Sequence, residues 1–232
     1  MNYAIIAAGE GSRLAKEGVT QPKPLVELNG EKMIDRLIRI FLANQATSIS
    51  VIVNEQMHEV AEYLKAKSLP VPFNLIVQST PSSMHSFYEL SRCLPEGKFC
   101  LTTVDTIFHE TEFSHYIAAF AADRSNDGLF AVTDYIEDES PLYVDVDESL
   151  NIHGFMDEAY PEARYISGGI YCLQSNAFPV LKSAIEANRS RMRNYQRELV
   201  QSGFRLKAFP FKKIIDVDHA SDIALAEAFL KA

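Results

Sequence analysis

Cysteine is scarce in this chain. Cys93, Cys100 and Cys172 are the three in 232 residues, and they come without a Cys-x-x-Cys pair or a histidine at ligand spacing. That excludes a zinc ribbon and a disulfide framework, and the expectation is three reduced core residues of a cytoplasmic protein. Positive charge is short too. With 22 Lys and Arg against 31 Asp and Glu, the net charge is −9, which argues against a nucleic-acid-binding surface. The N-terminus lacks the basic region and the long apolar core of a signal peptide. No apolar run approaches the length needed to cross a bilayer, so no membrane partner is expected. Repeats, low-complexity tracts and Gly-, Ser- or Pro-rich linkers are missing as well. The chain therefore reads as one domain over 1–232, with the choice between monomer and homo-oligomer open.

What is present has the balance of a soluble globular protein, 47% apolar and 23% charged. The first half alternates strand and helix. Tyr3–Ala7, Ile49–Val53, Phe73–Val77 and Phe99–Val104 read as strands. Between them, Met33, Ile34, Leu37, Ile38, Phe41 and Leu42 share a helical face, as do Val60, Ala61 and Leu64, and then Phe87, Leu90, Ser91 and Leu94. This order implies a parallel sheet covered on both faces. From Gly128 onward the strands crowd together at Leu129–Val132, Leu142–Val146, Leu150–Phe155 and Tyr165–Leu173. Helices at about 176–187 and 190–201, a strand at Phe204–Phe209 and a helix over Ala220–Leu230 follow. The expectation is a three-layer α/β/α fold with a mixed sheet.

The segment Ala7 to Pro24, A-A-G-E-G-S-R-L-A-K-E-G-V-T-Q-P-K-P, follows the first strand. It lacks the third glycine of a dinucleotide fingerprint, since Leu14 stands there, and it lacks the Gly-Lys-Ser/Thr of a Walker loop. It reads as a loop of about fifteen residues rather than a direct entry into a helix, and loops that long in compact domains tend to be functional. Backbone N–H groups released by Gly9 and Gly11 suit oxyanions, and Arg13 and Lys23 add full positive charges. A plain surface turn would need neither the two cations nor the two prolines.

Three segments are expected at the carboxyl edge of the sheet, where such folds bind ligands: this loop, Gln78 and Asp105. A carboxylate at Asp105 suits a hard divalent cation, and Asp216-Val217-Asp218 supplies a second candidate pair before the last helix. The competing role for Asp218 is a helix cap, which Ser221 or Asp222 would fill as well. Gln78 and the small residues Ser79 to Ser86 suit a base edge or an ordinary polar turn equally. His85 reads as a satisfied helix-start residue. Asp145-x-Asp147 lies in an acidic stretch with Glu137, Asp138, Glu139 and Glu148 and reads as a solvated strand and turn. Arg189, Arg191, Arg193 and Arg197 read as a basic exposed face. Lys212 and Lys213 lie on a strand that would deliver them toward phosphates.

The opening segment resembles the signature of the nucleotidyltransferases that activate sugar 1-phosphates, A-A-G-x-G-S/T-R-L/M followed by K-P. Ala7, Ala8, Gly9, Gly11, Ser12, Arg13, Leu14, Lys23 and Pro24 match it. Gln78-x-x-Pro81 is similar to the base-reading segment, Asp105 to a first metal aspartate, Gly168-Gly169-Ile170-Tyr171 to the acceptor strand, and Asp216-Val217-Asp218 to the closing metal motif. The resemblance implies a Rossmann-like nucleoside-diphospho-sugar transferase fold, related to the A-type glycosyltransferases. Residues 1–125 would form the nucleotide-binding part and 126–232 the acceptor-binding part with the second metal ligand. It implies a Mg²⁺ cofactor on Asp105 and Asp218 with Asp216 beside them, and catalytic roles for Arg13 and Lys23. Ala7, Ala8, Gly9, Gly11, Ser12, Gln78 and Ser83 would contact a nucleoside triphosphate, and Gly169 and Asp157 a small phosphorylated acceptor.

The chain also departs from the pattern. Ser83-Met84 stand where sugar-specific members carry Gly-Thr/Leu, Asp157-Glu158-Ala159 replace Glu-Lys-Pro, and Ser167 replaces an asparagine. A phosphocholine-like acceptor is thus an alternative within the class. A glycosyltransferase using a nucleotide sugar, and a ligand-sensing domain without turnover, are alternatives outside it.

Overall fold

The structure, a computed structural model, describes residues 1–136 and 140–231. In chain order the first half comprises β1 (Asn2–Ala7), α1 (Ser12–Lys16), β2 (Glu27–Leu28), β3 (Glu31–Lys32), α2 (Met33–Ala43), β4 (Ser48–Val53), α3 (His58–Lys65), β5 (Phe73–Val77), α4 (Ser83–Ser91) and β6 (Lys98–Thr103). There follow β7 (Thr106–Ile107), α5 (Glu110–Ala122), β8 (Gly128–Thr133), β9 (Tyr143–Val146), β10 (Ile152–Met156) and β11 (Tyr165–Gln174). The chain then runs through α6 (Phe178–Glu186), α7 (Met192–Gln201), β12 (Leu206–Phe211), β13 (Ile215–Asp216) and α8 (Ala220–Phe229). Among the described residues no helix is long and apolar enough to cross a membrane.

β1 lies between β4 and β6 and is parallel to both, and β5 extends β4 in parallel. β11 runs antiparallel to β6 and β8 and leads on to β9 and β10, while β12 pairs in parallel with β8. The sheet is mixed, as its strand spacing in the sequence implies. From β1 the chain crosses to β4 on one side and later returns to β6 on the other. The carboxyl ends of β1 and β6 are therefore a switch point, where neighbouring connections diverge and leave a crevice.

Period-2 alternation assigns each strand residue to a layer. Tyr3, Ile5 and Ala7 of β1 pack with α2, α3 and α5, whereas Ala4 and Ile6 pack with α4, α6 and α7. All six residues of β1 are buried, which explains the unbroken apolar run from Tyr3 to Ala7. Full burial of one such side chain contributes about 1.5–3 kcal/mol, so the edge that carries the loop rests on a rigid floor.

The structure corrects several expectations. The glycine segment does enter a helix, the five-residue α1. α5 fills a stretch to which the sequence pattern assigned no helix. Its buried face, Phe113, Tyr116, Ile117 and Phe120, is interleaved with alanines that blur the apolar period. The strand expected at Leu150–Phe155 begins at Ile152, because Leu150 turns with φ +65°. The strand expected at Phe204–Phe209 runs over Leu206–Phe211. Cys100 and Cys172 are core residues, and burial pushes the Cys100 thiol well up. Cys93 is exposed just beyond α4.

Candidate active site

The glycine loop is shaped by what packs against it. Gly11 has φ +62° and caps α1, a conformation L side chains rarely adopt. A Cβ on it would also stand 3.2 Å from the Lys23 Cβ. Glycine thus lets the Lys23 segment close onto the loop. Pro24 pre-sets the 3-10 turn Lys23–Leu25, and the turn buries Lys23 to 7% exposure. Arg13, at the start of α1, remains open to solvent.

On the other side of the crevice β7 and β13 form a short antiparallel ribbon, with Asp216 opposite Thr106 and Ile215 opposite Ile107. The Val217 N–H donates to the Asp105 carbonyl at 3.1 Å. Val217 is fully buried, so alternation turns Asp216 and Asp218 away from the core. The ribbon seats against Gly168 and Gly169 of β11. A Cβ on Gly168 would fall 2.3 Å from Ile214 Cδ1, and Gly169, at φ +73°, faces Thr106 Oγ1. The glycine pair accordingly has a packing role in holding both aspartates at the crevice.

Charges from both ends of the chain meet there. The Lys23 ammonium pairs with Asp105 and lies 2.7 Å from Asp218 Oδ1, and Arg13 Nη1 lies 2.8 Å from Asp218 Oδ2. Burial pushes the Lys23 ammonium down, but Asp105 and Asp218 more than reverse this, and its pKa ends above the ordinary value. Burial pushes the Asp218 carboxyl up, and Lys23 and Arg13 outweigh it, leaving the group below the usual carboxylate range. Both are therefore ionised at neutral pH. Two carboxylates about 4 Å apart repel by roughly 4 kcal/mol at an effective dielectric of ~20; a cation between them removes that repulsion.

Neighbouring groups hold Asp218 in place. Asp222 Oδ2 accepts the N–H groups of Asp218 (3.0 Å) and His219 (2.7 Å), which makes Asp222 the capping carboxylate of α8. Glu17, one helical turn after Arg13, accepts from the Ala220 N–H at 2.7 Å and lies 2.6 Å from His219 Nδ1. The bond from Ala220, then His219, keeps the Glu17 carboxyl below its ordinary range. Arg13 and Glu17 thus grip the same turn at two points. Sequence reasoning named neither Glu17 nor His219, since contacts across 202 and 203 positions leave no local signal.

Two cavities flank the charge cluster. One, about 330 Å³, is walled by Ala8, Gly9, Lys23, Asn54, Thr80 to Ser83 and Asp105. The other, about 120 Å³, is lined by Arg13, Tyr135, Ser167, Gly168, Asp216 and Asp218 among others.

The family model for nucleotidyl transferases matches residues 3–231. The chain belongs to that family. Among curated relatives it is 27% identical over 233 residues to the bifunctional IPC transferase and DIPP synthase of Rubrobacter xylanophilus, covering 97% of this chain and 50% of that protein. It is 29% identical over 113 residues to the 2-aminoethylphosphonate cytidylyltransferase of Lancefieldella rimae, covering 47% and 44%. The chain spans about half the length of the curated relatives it matches. The inositol-1-phosphate CTP transferase structure from T. maritima aligns with a TM-score of 0.81 at 18% identity, covering 98% of this chain and 94% of that one. A Bacillus anthracis structure assigned as a glucose-1-phosphate thymidylyltransferase aligns at 0.85 with 17% identity, covering 99% and 94%. These likenesses establish the shared fold, the Rossmann-like architecture of such transferases.

For this nucleotidyl transferase, the expected site residues divide as follows. Arg13, Lys23, Asp105 and Asp218 come together. Ala8, Gly9 and Ser83 line the larger cavity, Ala7 is buried behind it in β1, and Gly11 and Ser12 border a further cavity on the far side of the loop. Gln78 follows β5 and donates its N–H to the Val53 carbonyl, but the cavity wall is built from Asn54 and Thr80 to Ser83 instead. Asp157 is held by Arg197 (2.8 Å) and Arg193 (2.6 Å), so those two arginines form an ion-pair cluster and the basic face expected there is partly neutralised. Lys212 points its N–H at Glu112 and borders a separate cavity, and the Lys213 ammonium sits 3.8 Å above the Tyr135 ring. Ser82 Oγ lies 2.9 Å from His85 Nδ1 near the start of α4, as a satisfied helix-start histidine should. Glu137, Asp138 and Glu139 lie outside the described residues.

Asp105 and Asp218 both reach the one Lys23 ammonium, so two carboxylates of the kind that suit a hard divalent cation stand side by side, with the ammonium between them. Among the described residues no cluster of three or more His, Cys, Asp or Glu is arranged to hold a metal. Mg²⁺ does not need one, because it takes one or two carboxylates and completes its shell with phosphate oxygens and water.

Proposed function

We propose that this nucleotidyl transferase is Mg²⁺-dependent and moves a nucleoside monophosphate from a nucleoside triphosphate to a sugar 1-phosphate or similar small phosphorylated acceptor, releasing pyrophosphate. The observation that carries this reading is the four-residue charge cluster. Arg13 and Lys23 meet Asp105 and Asp218 between two cavities, the larger of which is floored by the glycine loop.

In the reaction an acceptor phosphate oxygen forms a bond to the α-phosphorus while the bond to the bridging oxygen breaks, and its electron pair leaves with pyrophosphate. The attacking oxygen is already anionic, so no protein base or nucleophile is required. Positioning and charge neutralisation do most of the work in such transfers. Arg13 balances the charge that develops on pyrophosphate, and Lys23 that on the phosphates. Asp105 and Asp218, with Asp216 beside them, would hold a Mg²⁺ ion, whose chemistry is to neutralise the α-phosphate and orient the acceptor phosphate.

The names of the T. maritima and B. anthracis neighbours support a sugar-phosphate-like acceptor. The similarity to a 2-aminoethylphosphonate cytidylyltransferase, with no lysine beside Asp157, favours a small aminoalkyl phosphonate or phosphorylated amino alcohol such as phosphocholine as the second reading. A cytoplasmic setting, where triphosphates and reduced thiols coexist, accords with either. The test is a pyrophosphate-release screen of ATP, CTP, GTP and UTP against glucose 1-phosphate, inositol 1-phosphate, phosphocholine and 2-aminoethylphosphonate, with and without Mg²⁺. Release with at least one pair, dependent on Mg²⁺ and lost in Asp105→Asn, is expected. Undiminished release after Asp105→Asn would contradict the assignment.

A further inference from the structure

We infer that Asn54 is a nucleotide-binding residue, presenting the two N–H bonds of its carboxamide to an acceptor oxygen of the nucleotide. This rests on the reading that the larger cavity holds a nucleoside triphosphate. Asn54 follows the last residue of β4, and Val53 pairs with Ala7 at the end of β1. The position is thus beside the glycine loop, on the opposite side of β1 from Asp105.

Asn54 is only 7% exposed. Its Oδ1 accepts from the Gln56 backbone N–H at 2.9 Å and from Ser79 Oγ at 3.0 Å. A backbone N–H is an obligate donor, so rotating the carboxamide by half a turn would set donor against donor. The network therefore fixes which pole is which. Among the described residues nothing accepts from Nδ2. Nδ2 is not among the buried atoms left without a partner, so it is solvent-accessible and its donors are available to a site beside it.

The surroundings supply one. Asn54 lines the cavity of about 330 Å³ together with Ala8, Gly9, Lys23 and Asp105, and it also lines a cavity of about 410 Å³ shared with Gly11 and Ser12. It stands at the seam between the loop and the hollow beside it. A neutral group with two donors and no free acceptor at that seam selects an oxygen, whether on a phosphate, a ribose or a base. It does so without adding charge next to Lys23.

The experiment is calorimetric titration of the wild type, Asn54→Ala and Asn54→Asp with ATP, CTP, GTP and UTP in the presence of Mg²⁺, alongside thermal melting. Asn54→Asp keeps the oxygen that Gln56 and Ser79 require and removes the donors. Asn54→Ala removes the donors without adding charge. The expected result is that the wild type binds at least one triphosphate and both folded variants bind it at least about tenfold more weakly, the loss typical of a hydrogen bond in a buried site. Unchanged affinity in both variants would overturn the inference while the nucleotide reading stands. A wild type that binds none of the four would overturn the nucleotide reading, and the inference with it.

Discussion

The chain contains two Asp-x-Asp motifs with opposite fates. At Asp145-Val146-Asp147 the second carboxylate is taken up by its own turn: it accepts from the N–H groups of Ser149 and Asn151 at 2.9 Å each and from Asn151 Nδ2 at 2.8 Å. At Asp216-Val217-Asp218 the local backbone is satisfied by Asp222, and the Asp218 carboxylate is left for Lys23 and Arg13, 195 and 205 residues away in sequence. Identical spacing thus gives a structural turn in one place and a charge cluster in the other. What separates them is whether a neighbour takes over the capping work.

Breaking the cluster should have the largest effect. Lys23→Ala is expected to lower turnover in the pyrophosphate assay by about 10²–10³, the usual cost of losing one preorganised electrostatic group. Next comes the support around Asp218. With Asp222→Ala the unsatisfied N–H groups compete for the Asp218 carboxylate, and kcat/KM should fall about tenfold, on the scale of losing a helix cap. Glu17→Ala should act in the same direction, raising the Mg²⁺ concentration needed for half-maximal rate more than the acceptor KM. Glu17→Gln, which keeps an oxygen for the Ala220 N–H, should recover part of the loss.

The smallest effects belong to the other motif. Asp147→Asn should lower the melting temperature by at most a few degrees and leave turnover within about twofold, since surface changes of this kind are small. Its pH dependence is also specified. Hydrogen bonds from the Asn151 side chain, then its backbone, depress the Asp147 carboxyl below its ordinary value. A depressed carboxylate contributes stability that is complete above the unfolded pKa, about 3.9, and is lost as pH falls through the lower folded value. The difference between the melting temperatures of wild type and Asp147→Asn should therefore be present above about pH 5 and shrink progressively as pH falls below about 4, through the lower folded value.

The comparison also explains which features were readable in advance. The glycine loop, the Lys-Pro turn and the alternating first half carry local signals, because backbone conformation and strand period depend on near neighbours. Asp105 was readable from its place at the end of an apolar run. The two-residue strands β7 and β13 are too short to show any period, yet they are what bring Asp105 and Asp218 together. Whether Asp218 caps the last helix or joins the charge cluster depends on Asp222, and the place of Glu17 on a turn some 200 positions later; neither leaves a mark in sequence spacing. Gln78 suits a base edge by its chemistry, but the wall of the cavity is built from Thr80 to Ser83 in the same segment together with Asn54, which follows an ordinary strand and carries no motif.

A side-by-side assay of Asp218→Asn and Asp147→Asn puts the account to its most direct test. Both substitutions remove one negative charge from the same three-residue pattern, so net charge and composition stay matched. With Mg²⁺ and the best substrate pair, Asp218→Asn is expected to lose pyrophosphate release by at least about 10², with Asp147→Asn near wild type. Equal rates in the two variants would contradict the claim that the chemistry resides where the ends of the chain meet.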